Sequence, residues 1–313
     1  MAECGPLQFT DAHLACALLP FRIPGAVFWP YFAGAVSLAI GLPLILRKEV
    51  PQAHGLDKLL AFGRLFYAFP LAVFGADHFV FAKGIAEIVP SWIPGHMFWV
   101  YFVGTALFAA SLSIVLKRHS ELAATLTGIM LFSFVALMHI PNIVADPGSR
   151  VPWIIALRDL SFSGGAFAFA GAQRNARSAR GGPYLVGLAR FFIGIPALVF
   201  GLEHFLHPTY VPAIPLDRVT PVWIPGRMFW AYFTGAVLLA AGACILVNRK
   251  AHLAATVLGI VVFLVVLFVY LPINAASLSN IDNGLNYFAD TLLYCGAVLL
   301  LADSIPAEGP SHA

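Results

Sequence analysis

The chain has 313 residues, of which 60% are hydrophobic and 11% are charged, and its mean hydropathy is +0.86. This composition excludes an ordinary soluble globular domain. The formal net charge is only +3, and the basic residues are spread over separate connections, so we do not expect nucleic acid as a partner. The lipid bilayer is the expected environment for most of the chain.

Apolar runs of about 20 residues, the length that crosses a hydrocarbon core of about 30 Å, recur along the sequence. They predict an all-α fold, a polytopic transmembrane helix bundle of about nine helices. The connections are too short for a separate soluble domain, so we expect any site within the bundle or at its faces. The runs are 26–46, 59–81, 97–116, 122–142, 152–172, 184–206, 228–247, 253–273 and 284–303.

The positions of Lys and Arg predict the orientation in the membrane. Ten of them lie in one set of alternate connections and five in the other set. The positive-inside rule makes the richer set cytoplasmic, which predicts a multi-pass protein of the cytoplasmic (inner) membrane with the N-terminus outside and the C-terminus cytoplasmic. The ten are Arg47, Lys48, Lys58, Lys117, Arg118, Arg174, Arg177, Arg180, Arg249 and Lys250; the five are Arg22, Lys83, Arg150, Arg218 and Arg227.

Residues 63–172 align with residues 189–303, which predicts two tandem copies of a four-helix unit. WIPGHMFWVYF (92–102) matches WIPGRMFWAYF (223–233) at nine of eleven positions, after a five-residue insertion in the second copy. Four crossings per copy place both copies the same way up, related by an axis along the membrane normal. The predicted parts are 1–58, a tail and an extra helix that begins with a remnant of the repeated motif; 59–180, the first repeat; and 181–313, the second repeat and C-terminal tail.

Ionisable residues within apolar runs are costly in lipid and are candidates for function. Helical rise places four of them at one depth near the outer end of the first copy, namely Asp77, His78, His139 and Asp159. The equivalent residues of the second copy are Glu203, His204, Tyr270 and Asp290. These eight residues form the predicted ligand or proton site, and His139 favours the first copy for proton handling. The alternative is that they only form hydrogen bonds between helices.

Residues typical of the membrane interface flank the crossings. The WIPG stretches predict interfacial anchors followed by helix starts, although aromatic rings near a polar pocket are also suited to stacking on a quinone. Near the cytoplasmic end, Arg64 and Arg190 are expected to have a structural role or to extend towards the headgroups. The interfacial aromatic residues are Trp92, Trp99, Tyr101, Trp223, Trp230 and Tyr232.

The cysteines give no sign of a metal or redox centre. Cys4, Cys16, Cys244 and Cys295 show no CxxC spacing, although Cys4 and Cys16 could form a disulfide in the tail. We find no haem, zinc or nucleotide motif, so the sequence predicts no metal site and leaves a quinone as the open cofactor-like ligand.

Each copy has an Arg near the start of its first helix (Arg64, Arg190), a G-x-x-H-F end to that helix (75–79, 201–205) and a Tyr-Phe-x-Gly motif in its second helix (101–104, 232–235). A four-helix unit with these motifs resembles the DoxX-like membrane proteins. The resemblance covers residues from about 60 to 303 and implies a bacterial membrane protein linked to quinone-dependent thiosulfate oxidation or to redox-stress complexes. Most members hold one unit, so the duplication and the N-terminal helix are departures. The residues that carry it are Arg64, Gly75, His78, Phe79, Tyr101, Phe102 and Gly104, with Arg190, Gly201, His204, Phe205, Tyr232, Phe233 and Gly235.

Three functions are compatible with these patterns. The first is a redox-associated accessory protein that binds a quinone-like or small sulfur-containing molecule in an outer-leaflet polar pocket. The second is a small-molecule transporter that uses the cleft between the repeats. The third is a non-catalytic membrane scaffold in which the buried polar groups only hold the bundle together. Protein partners do not follow from the sequence.

The predicted orientation can be tested with a reporter that is active only outside the cytoplasm. We expect alkaline phosphatase fused to the C-terminus to be inactive, because the Lys and Arg distribution retains that end in the cytoplasm. High phosphatase activity would instead mean that the number of crossings is wrong by one.

Overall fold

A computed structural model describes residues 25–178 and 180–307. Within these ranges the chain forms helices and no strands, apart from one isolated bridge between Tyr210 and Val219. Cys4 and Cys16, which could form a disulfide in the tail, lie outside the described residues. In chain order the helices are α1 (Gly25–Lys48), α2 (Asp57–Val80), α3 (Ala82–Ile88), α4 (His96–Leu116), α5 (Ser120–Ala145), α6 (Arg150–Ala176), α7 (Gly182–Leu206), α8 (Arg227–Val247), α9 (Ala251–Ala276) and α10 (Asp282–Ser304).

The predicted fold class is confirmed. In the described part of the chain, eight helices are long and apolar enough to cross a membrane, all of them except α3 and α6. Helix α6 has 27 residues, enough length for a crossing, but it carries Arg158 and Asp159 about one third of the way along. The chain is therefore a multi-pass integral membrane protein. The sequence did not predict α3, because its seven residues are too few to show a helical period.

The long helices form a closed ring. Each packs on the next in the order α2, α4, α5, α6, α7, α8, α9, α10 and back to α2, and α6 also packs on α10 across the centre. The first helix of each predicted copy thus packs against the fourth helix of the other copy. The two halves are interlocked rather than side by side, and they show the same pattern of helix contacts. The predicted axis along the membrane normal stays a prediction.

Small residues allow α6 and α10 to pack closely at the centre. Every residue from 161 to 171 and from 289 to 302 is buried. A Cβ atom added to Gly296 would lie only 2.5 Å from the backbone nitrogen of Tyr67, and the Tyr67 hydroxyl donates a 2.6 Å hydrogen bond to the carbonyl of Phe162. Along these stretches α6 and α10 therefore fill the boundary between the halves.

Both third helices of the copies contain a widened π-helical turn at the same place. The turns are Val135–His139 in α5 and Val266–Tyr270 in α9, and a proline follows each two residues later, at Pro141 and Pro272. Proline has no N–H group, and its ring clashes with the carbonyl four residues earlier, so the chain relaxes into a π turn. Each widened turn ends on a predicted site residue, His139 or Tyr270.

At the end opposite to the predicted site, Arg64 and Arg190 cap helices instead of extending to the headgroups. Arg64 is buried, pairs with Glu49 and donates to the carbonyls of Ile114 and Val115 at the end of α4. Arg190 donates to the last carbonyls of α8, those of Ile245 and Leu246, at 2.9 and 3.0 Å. Carbonyls in the last turn of a helix lack the usual N–H partner four residues later and carry the negative end of the helix dipole, which explains the position of the guanidinium groups. The carbonyls of Ile114 and Ile245 also accept the backbone N–H of the capping residues, at 3.3 Å.

The packing predicts that Gly296 tolerates no side chain. Gly296→Ala should destabilise the protein by about 1–3 kcal/mol because backbone atoms of α2 have to move. The matched control is Gly187→Ala on α7, where an added Cβ meets nothing within 4 Å. Thermal unfolding in detergent should show a lower midpoint for the first variant and an unchanged or higher midpoint for the second. Equal midpoints would contradict the close packing.

Candidate functional site

One guanidinium group joins the two halves near the predicted outer end, the end that carries Trp92 and Trp223. Arg158 contacts Asp159 on its own helix (Nε to Oδ1, 3.0 Å) and Asp290 on α10 (Nη1 to Oδ2, 2.9 Å). The two aspartates occupy equivalent positions in the two copies, but the position equivalent to Arg158 holds Ala289. A single cation therefore serves both buried carboxylates.

His139 extends this charged network into α5. Its Nε2 atom lies 2.8 Å from Oδ2 of Asp159, so two of the four residues predicted in the first copy are in contact. The network runs from His139 through Asp159 and Arg158 to Asp290. Two carboxylates and one guanidinium leave one negative formal charge in the network.

Asp77 and His78 lie apart from that contact. Asp77 is buried and its Oδ1 atom has no hydrogen-bond partner, while Asn286 on α10 is close enough to form a hydrogen bond with its side chain. The Nδ1 atom of His78 donates to the carbonyl of Phe74 at 2.7 Å. The four predicted residues therefore form two groups and not one cluster.

In the second copy, the connection between α7 and α8 folds over the equivalent residues. We call residues 207–226 the outer loop. Ala213 donates its backbone N–H to Nε2 of His204 at 2.9 Å, and Tyr270 donates its hydroxyl to the carbonyl of Pro212 at 2.8 Å. His204 also donates from Nδ1 to the carbonyl of Phe200 at 2.5 Å. Both residues thus hold the outer loop against the bundle.

Glu203 supports the same loop through Arg150. Their side chains form an ion pair at 3.0 Å, and Arg150 also donates to the carbonyls of Pro215, at 2.5 Å, and Leu216. The guanidinium lies 4.3 Å from the centre of the Tyr210 ring. Three of the predicted residues of the second copy therefore serve to fix the loop, and Asp290 serves the central network.

Among the described residues, the first copy shows no equivalent cover. Its connection is five residues shorter and contains α3. Among residues 81–95, all of which the structure describes, none donates a hydrogen bond to His78 or His139. The insertion is a sequence signal for this difference, but its length alone does not show that the loop folds inwards.

The interfacial aromatic residues form matching clusters on the outside of the bundle. Trp99 and Trp230 each lie edge-on to the preceding phenylalanine, with ring centres 5.3 and 5.7 Å apart, and α1 repeats the arrangement at 5.2 Å with Phe28 and Trp29. The side chain of Trp92 is 65% exposed. This outward placement favours interfacial anchoring over stacking inside the predicted site.

Two cavities are lined by none of the eight predicted site residues. An apolar groove of about 850 Å³ runs between α1, α2 and α4, and a polar pocket of about 500 Å³ lies at the opposite end, beside Arg64 and His252. Among the residues described, no group of three or more His, Cys, Asp or Glu side chains could hold a metal ion. Cys244 and Cys295 are free thiols.

Comparison of the chain with protein-family models, with curated proteins and with solved structures finds no match. The resemblance to DoxX-like proteins therefore stays a prediction.

The central network predicts a strong dependence on Arg158. Arg158→Met should destabilise the bundle by about 3–5 kcal/mol, because it leaves two buried carboxylates without a cation. Adding Asp159→Asn and Asp290→Asn to this variant should restore most of the loss. Thermal unfolding of the single and triple variants in the same detergent tests both statements, and a triple variant no more stable than the single one would contradict them.

Proposed function

We propose that this integral membrane protein binds a small quinone-like molecule at the outer end of its first copy, with the His139–Asp159 pair handling a proton. The observation that carries this proposal is the asymmetry between the copies. In the second copy the outer loop satisfies His204 and Tyr270. In the first copy the described residues leave the equivalent His78 and His139 without such a partner.

The charge of the site favours a neutral ligand. Arg158 is already shared by two carboxylates, and Asp77 adds a third carboxylate for which the described residues offer no ion pair. A sulfur-containing anion such as thiosulfate would meet net negative charge in a low-dielectric region. A neutral amphipathic molecule that enters from the bilayer would not be repelled by this charge. The resemblance to DoxX-like proteins of the inner membrane also supports a link to quinones. An inner-membrane location agrees with the cytoplasmic C-terminus that the Lys and Arg distribution predicts.

A scaffold is the second candidate, because the central network is fully paired. Each charged group from His139 to Asp290 has a partner, as expected of residues that only join helices. The transporter alternative has less support, since α6 and α10 fill the boundary between the halves.

Quinone binding can be measured on the full chain in lipid nanodiscs. We expect a short-chain quinone to bind to the wild type and Asp159→Asn to bind it about tenfold more weakly, because the partner that orients His139 loses its charge. The bundle should still fold, since Arg158 keeps its contact with Asp290. Asp146→Asn, an exposed carboxylate at the same end, is the control and should bind normally.

Mass spectrometry of lipids extracted with the purified protein gives an independent readout. A co-purified quinone supports the proposal. If no quinone is extracted and none binds in nanodiscs, the scaffold function is the better description.

A further inference from the structure

The two copies treat one pair of equivalent carboxylates differently. Glu203 on α7 forms its ion pair with Arg150 at the start of α6. Asp77 is the equivalent residue on α2, and α2 packs on α10 as α7 packs on α6. On α10 the position of Arg150 holds Ile281, which is buried in an apolar cluster with Val73, one turn before Asp77. Asp77 therefore lacks the cation that balances Glu203.

The surroundings of Asp77 make its ionised form unfavourable. Asp77 is 6% exposed, and in the described part of the chain it forms no ion pair with Lys, Arg or His. The charged groups that act on it from α10, Asp282 and Asp290, are themselves acidic. Helices α1 and α4 carry no Asp, Glu, Lys or Arg at this end, and Lys83 and Glu87 of α3 are exposed.

The other titratable neighbours are directed to partners of their own. Nδ1 of His78 donates to the carbonyl of Phe74 at 2.7 Å. On α1, Tyr31 donates its hydroxyl to Oδ1 of Asn274 at 2.6 Å. Neither of these hydrogen bonds is made to Asp77.

Two buried oxygen atoms lack a donor where α2 meets α10. Oδ1 of Asp77 and Oδ1 of Asn286 are both buried, and neither has a hydrogen-bond partner among the described residues. The two side chains are close enough to bond to each other. Asn286 ends the π-helical turn Asp282–Asn286 at the start of α10, and its equivalent on α6 is Ile155. The second copy thus has a cation beside its carboxylate, whereas the first has a neutral amide.

One proton would meet both requirements of this place. On Oδ1 of Asp77 it removes the uncompensated charge and makes that oxygen a donor to Oδ1 of Asn286. A buried carboxylate without a partner takes up a proton rather than staying ionised. A divalent metal ion fits less well, because Ca²⁺ and Mg²⁺ take about six oxygen ligands, and the described residues include no group of three or more His, Cys, Asp or Glu that could hold a metal.

We propose that the first copy binds a proton at Asp77, as a neutral carboxylic acid that donates to Asn286 of the other half. This site is separate from the His139–Asp159 pair and does not depend on a quinone. The central network keeps its own negative charge, so an anionic ligand is disfavoured as before. Loss of the proton would leave Asp77 with the same charge as Asp282, so the contact between α2 and α10 should weaken as the pH rises.

Infrared spectroscopy tests the proposal, because the C=O stretch of a protonated carboxyl is resolved from that of a carboxylate. The full chain is measured near neutral pH in a detergent without ester groups. We expect a protonated carboxyl band in the wild type and its loss in Asp77→Asn. Asp146→Asn, an exposed carboxylate at the same end, is the control and should keep the band. A band that is absent from the wild type, or unchanged in Asp77→Asn, would overturn the proposal.

A second variant supplies the missing cation and decides the case if Asp77→Asn does not fold. Ile281→Arg places on α10 the residue that neutralises Glu203 from α6. It should ionise Asp77 and remove the same band, whereas Ile281→Met, which adds length without charge, should keep it. If Asp77→Asn does not fold, a band that persists in folded Ile281→Arg counts against the proton.

Thermal unfolding gives the sign of the proton linkage. An unfolded Asp ionises above about pH 4, so above that pH the folded wild type binds one proton more than the unfolded chain and loses stability as the pH rises. Asp77→Asn has no such proton. Its unfolding midpoint should therefore exceed that of the wild type by a margin that widens between about pH 5 and about pH 8.

Two outcomes of the unfolding experiment would contradict the proton. One is a margin that stays constant with pH. The other is a wild-type midpoint that rises with sodium chloride, but not with choline chloride, and does so only when Asp77 is present. That result would assign a metal cation to Asp77 instead.

Discussion

The ion pairs of Arg158 are the constraint on which the outer end of the bundle depends. Each half of the molecule brings one aspartate to the centre, and only the first half brings a cation. In a low-dielectric environment, separating either aspartate from this guanidinium would leave a buried charge uncompensated. The halves are therefore held together at this depth, and Asp159 is oriented so that its second oxygen faces His139.

The same interaction explains how a duplicated sequence produces an asymmetric molecule. The two carboxylates occupy equivalent positions, but the cation that they share comes from one copy only, so the contacts of Arg158 are not symmetric. The asymmetry continues outwards, because the first copy has a histidine beside its aspartate and a short connection, whereas the second has a tyrosine and a loop that folds inwards. The backbone arrangement is common to both halves, while the chemistry at the ends of the helices is not.

Much of the fold could be predicted from sequence, because hydrophobic runs and helix length follow directly from the thickness of the bilayer. The contact between His139 and Asp159 was accessible from depth alone, since both residues lie at similar distances from helix ends. The contact of Arg158 with Asp290 was not, because it depends on which helices become neighbours, and the exchange of first helices between halves has no local signal. The partners of Arg64 were not predicted either: its depth allowed a structural role or contact with headgroups, and the structure places its guanidinium on Glu49 and on carbonyls at the end of α4.

The exchange of first helices has a consequence for chains that hold a single four-helix unit. Such a chain would expose the faces of its first and fourth helices that here pack against the other half. Two identical chains related by a twofold axis would cover these faces mutually and complete the same ring. The present molecule is in this sense a covalently linked dimer. Because its two subunits are encoded separately within one chain, their outer ends can diverge, and the second has acquired a loop that binds its own His204 and Tyr270.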